Sequence, residues 1–288
     1  MSSSTTTPSA NENVEEVGKR YFLPRSYDEG RRMQNQHEWI KGCAGGLIKA
    51  PIDRTRSNLH VLDAATADGY WIHDVAREFP KDAEFVGFDS APEEFPPIEN
   101  PSTKFHVAKQ NLIETFPAEW ANKFDLVHQR FVIPLFKEAE VPNVLKNLTG
   151  CVKPGGWIQL VEMDFSAYVQ AEKTTAINML HTLTNSIVSD PKAATKLGRR
   201  LEEQGFVNVH SEGINLVAGN APESSELGER GSRNMLAVLQ YFMSVAKPEM
   251  FGMTQEEWAS LPEKFTQDMK EHKMVLRVYY VWAQKPEQ

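Results

Sequence analysis

Cysteine is scarce in this chain. Its 288 residues hold two, Cys43 and Cys151, in no CxxC spacing. A disulfide framework and a cysteine-rich metal site are therefore excluded, and a reducing, cytoplasmic setting is expected. Positive charge is also in deficit, with 31 Lys+Arg against 39 Asp+Glu and a net charge of −8. That is the wrong sign for a general phosphate-backbone binder, so nucleic acid is not an expected partner. No apolar run approaches the ~18 residues that a membrane span needs, so no membrane partner is expected either. The chain has no internal repeat and no G-x-G-x-x-G fingerprint, and its histidines show no ligand-like clustering, so no metal is expected. What is present is ordinary for a globular protein: 41% hydrophobic and 24% charged residues, in a length that suits one large domain or one domain with an insertion.

The first twenty residues are Ser/Thr-rich and then acidic, without the apolar core of a signal peptide, and residues 1–20 are expected to be a disordered tail. Order is expected from Tyr21. Ser26-x-x-Glu29 has the form of a capping box, opening a helix to about Lys41 whose inner stripe is Met33, His37 and Ile40. Residues 21–57 thus read as an N-terminal helical lid. From residue 58 strands alternate with helices. Leu59–Asp63, Glu84–Phe88, Lys104–Ala108, Phe124–His128 and Trp157–Glu162 are the strands, and Val141, Val144, Leu145 and Leu148 mark one helical stripe. Such alternation implies an α/β fold with a mainly parallel sheet.

The second half is more helical. Ile177, Leu180, Thr184, Ile187 and Val188 share a face, as do Met235, Val238, Leu239 and Phe242. Thr254-x-x-Glu257 is a second capping box. Phe206–His210 and Ile214–Val217 read as strand, and Met274–Ala283 as a last strand, antiparallel at the sheet edge beside Val207–Val209. Residues of about 166–201 and 219–272 exceed what a minimal fold needs and are expected to form helical cap insertions.

The chemistry-bearing stretch is VLDAATADGYW from Val61 to Trp71. Small residues after a strand and before a helix let backbone approach a ligand at the sheet's carboxyl edge. Asp63 ends the first strand and suits a cationic amine. Asp89 ends the next and suits a ribose diol, whose two hydroxyls a carboxylate can accept. Strand-end aspartates also serve as plain helix caps, and these residues alone leave both readings open.

VLDAATADGYWIHDVAREFP, FVGFDSAP, FDLVHQR and LKNLTGCVKPGGWIQLVEMD, together with DEGRRMQNQHEWIKGCAGGLI, resemble successive blocks of the class I S-adenosylmethionine methyltransferases. The likeness is to the fungal secondary-metabolism group that includes the LaeA-like proteins and the gliotoxin bis-thiomethyltransferase. It implies a Rossmann-like fold, a mainly parallel seven-stranded sheet with an antiparallel last strand plus helical cap, spanning residues 58–288. It also implies S-adenosylmethionine as cofactor, leaving S-adenosylhomocysteine. On this resemblance Asp63 faces the cofactor's amino group, Ala65, Ala67 and Gly69 take the family's three glycine positions, and Asp89 with Ser90 holds the ribose. Asn111 and Leu112 meet the adenine. His128 and Gln129 line the methionine part, His128 as the candidate catalytic group, with Tyr27 and Gln36 closing from the N-terminal helix. Ala67 departs from the usual glycine, and Asn111 from an aspartate.

Arg130, Phe131, Asp164, Tyr168, His181, Met235 and Phe242 are the expected lining of a mostly apolar acceptor pocket. Both His37 and His128 also have a plain reading as satisfied structural histidines. No His–carboxylate or Ser/His/Asp pair is visible in the sequence. A thiol near pKa 8.5 needs little help to ionise, so this absence favours a sulfur or acidic hydroxyl acceptor. The expected function is methyl transfer to a thiol or acidic hydroxyl of a small fungal secondary metabolite, gliotoxin-like dithiol S-methylation included. The alternatives are a small-molecule O-methyltransferase and a LaeA-like regulator acting through protein partners. A nucleotide-dependent oxidoreductase is disfavoured by the missing glycines. A monomer or weak homodimer is expected.

Overall fold

A computed structural model describes residues 26–95, 98 and 101–287. The expected tail over residues 1–20, the start at Tyr21 and the side chain of Tyr27 lie outside the described residues. Seven strands form one sheet in the order β3-β2-β1-β4-β5-β7-β6. They are β1 (His60–Ala64), β2 (Glu84–Asp89), β3 (Phe105–Lys109), β4 (Phe124–Arg130), β5 (Val152–Asp164), β6 (Val207–Gly219) and β7 (Lys273–Gln284). Pairing is parallel from β3 through β5, and β7 runs antiparallel to both β5 and β6. Strand order reverses between β1 and β4. Their crossovers leave on opposite faces, which opens a crevice at the carboxyl edge.

Both faces of the sheet are covered. Along β1, Val61 packs with Leu126, Trp71, Ile72 and Val75, whereas Leu62 and Ala64 pack on the other face with Val144, Leu145 and Leu148. Alternate residues of a strand point to opposite faces, so an almost wholly apolar strand is what a sheet buried on both sides requires. The short helix α2 (Tyr70–Val75) covers the first face; α3 (Val141–Cys151) and α5 (Ala193–Glu203) cover the second. A third cluster joins α1 (Tyr27–Ala44), α4 (Thr175–Ile187), α6 (Ser225–Val245) and α7 (Gln255–Glu271) to β5, β6 and β7. None of the helices among the described residues is long and apolar enough to cross a membrane.

Local signals placed these ends well. Ser26 Oγ accepts from Glu29 N–H at 3.3 Å and Gly45 closes α1 with φ 66°, the left-handed turn glycine adopts without cost. The second capping box closes in both directions between Thr254 and Glu257. The strand-like stretches at 206–210 and 214–217 join in one continuous strand. One expectation is corrected: β7 lies inside the sheet, with β6 at the edge. The reason is burial: β7 is apolar on both faces, while most of the first half of β6 is exposed and tolerates the solvent side.

Candidate active site

The carboxyl ends of β1, β2 and β4 open into a cavity with an empty volume of about 1820 Å³, its open mouth included. The turn after β1 forms its floor. Thr66 N–H donates to Phe88 O at 2.9 Å, and Ala67 N–H donates to Asp89 Oδ2 at 3.1 Å. Ala65, Ala67 and Gly69 have φ of 54°, 53° and 80°. All three therefore adopt the left-handed backbone that glycine favours, two of them with a methyl group attached.

Asp63 sits 3% exposed at the tip of β1. One oxygen accepts from Thr66 Oγ1 at 2.6 Å, and the other lies 2.7 Å from His128 Nδ1 on the neighbouring strand. The Asp63↔His128 register puts the two side by side. The imidazole is stacked on Trp71 at 3.9 Å and 3°, and burial lowers its pKa against the pull of Asp63. A neutral His128 thus donates Nδ1–H to Asp63 and keeps its lone pair on Nε2. A second such pair joins His37 Nε2 to Asp74 Oδ2 at 3.0 Å. Neither pair is visible in the sequence, because the partners are 65 and 37 residues apart. His37, Glu38 and Asp74 also form a group within 4.8 Å, but Lys41 Nζ holds Asp74 at 2.6 Å, which makes this a charge network.

Asp89 accepts from Ala91 N–H at 3.2 Å through its other oxygen, and Ser90 stands beside it on the cavity wall. Asn111, 5% exposed, accepts from Ile113 N–H at 3.2 Å and lines the cavity with Leu112. From α1 come Arg32, Met33, Gln36 and His37, and from α6 Asn234, Met235, Val238 and Phe242. Arg32 Nη1 donates to Asn234 Oδ1 at 2.8 Å, tying the two helices together over the mouth. Arg130 at the tip of β4 has a buried Nη1 with no hydrogen-bond partner among the described residues; its Nη2 lies 3.4 Å from His37 Nδ1.

The cavity thus gathers Asp63, Ala65, Ala67, Asp89, Ser90, Asn111, Leu112, His128 and Gln36 of the expected cofactor residues, and Arg130, Phe131, Met235 and Phe242 of the expected acceptor residues. It does not gather the rest. Gly69 is under the floor, facing Phe105. Gln129 alternates to the other face and donates to Glu162 at 2.7 Å. Asp164 is spent on Ser166, accepting from its N–H and Oγ at 2.9 and 2.6 Å. Tyr168 and His181 pack on each other with centroids 4.9 Å apart, beside the α4–α7 core.

Sequence reasoning missed Trp71, Arg32, Asn234 and Glu162, which all line the cavity. For Glu162 a signal was available: a lone carboxylate inside the apolar run Leu160–Met163. Such a group is costly to bury unless a site needs it.

A family model described as a methyltransferase domain matches residues 34–211. The chain belongs to the S-adenosylmethionine-dependent methyltransferases. Among curated relatives, it is 39% identical over 287 residues to the N-methyltransferase verN of Clonostachys rogersoniana, covering 100% of both chains. It is 31% identical to the N-methyltransferase sirN of Leptosphaeria maculans, over 92% of this chain and 95% of that one. The N-methyltransferase gliN of Aspergillus fumigatus is 30% identical, over 92% and 96%. Among solved structures, a SAM-dependent methyltransferase from Archaeoglobus fulgidus superposes with a TM-score of 0.50 at 15% identity, covering 90% of this chain and 100% of that one. This likeness shows the shared fold.

Proposed function

We propose that the protein transfers a methyl group to the nitrogen of a small, mostly apolar acceptor of fungal secondary metabolism. The observation that carries the cofactor assignment is Arg130: a guanidinium nitrogen buried without an acceptor on the wall shared with Asp63 and Asp89. An orphaned buried donor is costly, and a ligand carboxylate satisfies it. Together the residues fit S-adenosylmethionine: Arg130 for its carboxylate, Asp63 for its ammonium, Asp89 for the ribose hydroxyls, Asn111 and Leu112 for the adenine. When bound, that cofactor supplies an electrophilic methyl on a sulfonium. The chain's own task is to place the acceptor in line at about 3–3.5 Å and to exclude water.

Phe131, Phe165, Met235, Val238 and Phe242 give the acceptor side an apolar wall, and methionines let such walls adapt. We read α4 and α6 as the cap over it. Nitrogen is favoured over sulfur for two reasons. Three relatives that match most of the chain carry the N-methyltransferase name. The missing His–carboxylate pair, which favoured a thiol, is also present after all. Two free thiols suit a cytoplasmic enzyme. The test is a mass-spectrometric screen with methyl-labelled cofactor against matched panels of amides, secondary amines, thiols and phenols. Label on nitrogen is expected; label on thiols or phenols alone overturns the reading.

A further inference from the structure

Glu162 lies at the carboxyl end of β5, 0% exposed, and lines the same cavity as Phe131, Met163 and Phe165. Its two oxygens are unequal. Oε1 accepts from Val132 N–H at 2.9 Å, Ile133 N–H at 2.8 Å and Gln129 Nε2 at 2.7 Å. Oε2 is buried with no hydrogen-bond partner among the described residues. Three donors on one oxygen hold the carboxyl in a single orientation and leave the other as its only acceptor for a ligand. A buried carboxyl costs stability unless something bonds to it, and here half of it awaits a donor.

The geometry points to Glu162 as the catalytic base that takes the proton from the acceptor nitrogen. The inference rests on the N-methyl reading above. The acceptor's N–H donates to Oε2. Its lone pair forms the new N–C bond as the S–CH3 bond breaks, with that electron pair staying on sulfur. The proton passes from nitrogen to Oε2, and the carboxylic acid later returns it to water.

The surroundings suit a proton acceptor at neutral pH. Burial raises the Glu162 pKa to about 7, against the donors on Oε1. Tyr279 is its register partner on β7. The other titratable or charged groups nearby are His128 and Arg130 on β4, Asp164 on β5, Arg32 and His37 on α1, and Asp68 in the floor. No ion pair joins any of these to Glu162 among the described residues. His128, the rival base, has its pKa lowered from 6.5, so the two candidates place the rising limb of a pH–rate profile on opposite sides of that value.

The test compares Glu162→Gln with His128→Gln. Glutamine keeps an oxygen for Val132 and Ile133 but accepts no proton. With the N–H acceptor that the wild type turns over, Glu162→Gln is expected to lower kcat about 100-fold or more and to erase the rising limb near pH 7. Affinity for S-adenosylhomocysteine by calorimetry should stay within about threefold. A readout independent of turnover is thermal stability. The Glu162 contribution to stability is lost as pH rises from 4.5 toward 7, because the folded state holds a proton there that the unfolded chain releases. The variant lacks that loss, so its Tm margin over the wild type should widen across this window. Unchanged kcat and limb in Glu162→Gln overturn the inference. So does a limb that vanishes only in His128→Gln, or a variant with lost product binding and a lower Tm. A wild type inactive on every nitrogen acceptor sinks the N-methyl reading instead, which the label screen shows separately.

Discussion

Two alanines carry the backbone of glycines at the floor of the cavity. A left-handed conformation costs a residue with a Cβ roughly 1–2 kcal/mol, partly offset by the stiffer unfolded chain. Ala67→Gly should therefore raise stability by up to about 1 kcal/mol, measured by denaturant unfolding, and leave more room for the cofactor. The reverse change is not tolerated at the third position. At Gly69, φ is 80° and an added Cβ would stand 2.4 Å from the Phe105 ring, so Gly69→Ala should cost about 2 kcal/mol or more. Arg130→Met tests the cofactor carboxylate directly. A lost charge-assisted hydrogen bond is worth about 1.5–3 kcal/mol, so calorimetry should show S-adenosylhomocysteine binding weakened by roughly 10- to 100-fold. The loop's strained backbone could be inferred from its position after β1, because local chemistry decides it. For Glu162 the sequence shows a carboxylate out of place in an apolar run but not which groups it meets, because the strand pattern says only that it faces the opposite side from Val161 and Met163.

At the scale of elements, the placement of α6 depends on one close approach. Gly231 of α6 lies against β6 and α1: an added Cβ would come 2.6 Å from Val217 O and 2.8 Å from the Trp39 ring. Trp39 in turn donates from Nε1 to Val217 O at 2.6 Å. Gly231→Ala should push α6 away from the sheet and shift Met235, Val238 and Phe242 with it. Acceptor KM is expected to rise more than cofactor KM, because the residues proposed for the ribose and adenine sit on β2 and the loop after β3. Steady-state kinetics with each substrate varied separately checks this. Helix periodicity identified the stripe of α6 correctly, yet its partner could not be read. Apolar faces are interchangeable in sequence, and only the tertiary arrangement selects α1 and β6.

For the whole molecule, two buried groups oppose each other with pH. Burial lowers the His37 pKa from 6.5 to about 4 despite the hydrogen bond to Asp74. A histidine held neutral stabilises above the unfolded value and loses that contribution as pH falls from 6.5 toward 4. Glu162 has the opposite sign across nearly the same window, since its pKa rises from 4.5 to about 7. Their contributions therefore offset each other between pH 4.5 and 6.5. Relative to the wild type, His37→Gln should make stability fall more with rising pH, and Glu162→Gln should make it rise more. Thermal melts across this range read all three profiles.

By itself the sequence determined the alternation of strands and helices, the caps of α1 and α7, and the carboxylates that end β1 and β2. Each depends on neighbours within a few residues, through side-chain period or local hydrogen bonds. The tertiary structure alone decided which groups meet. Strand order reverses between β1 and β4, so Asp63 pairs with His128 65 residues away. β5 lies next to β4, so Glu162 receives Gln129. The last helices fold back, so Arg32 reaches Asn234 across 202 residues. Pairings at that separation follow from how layers close on one another, and no local pattern encodes them.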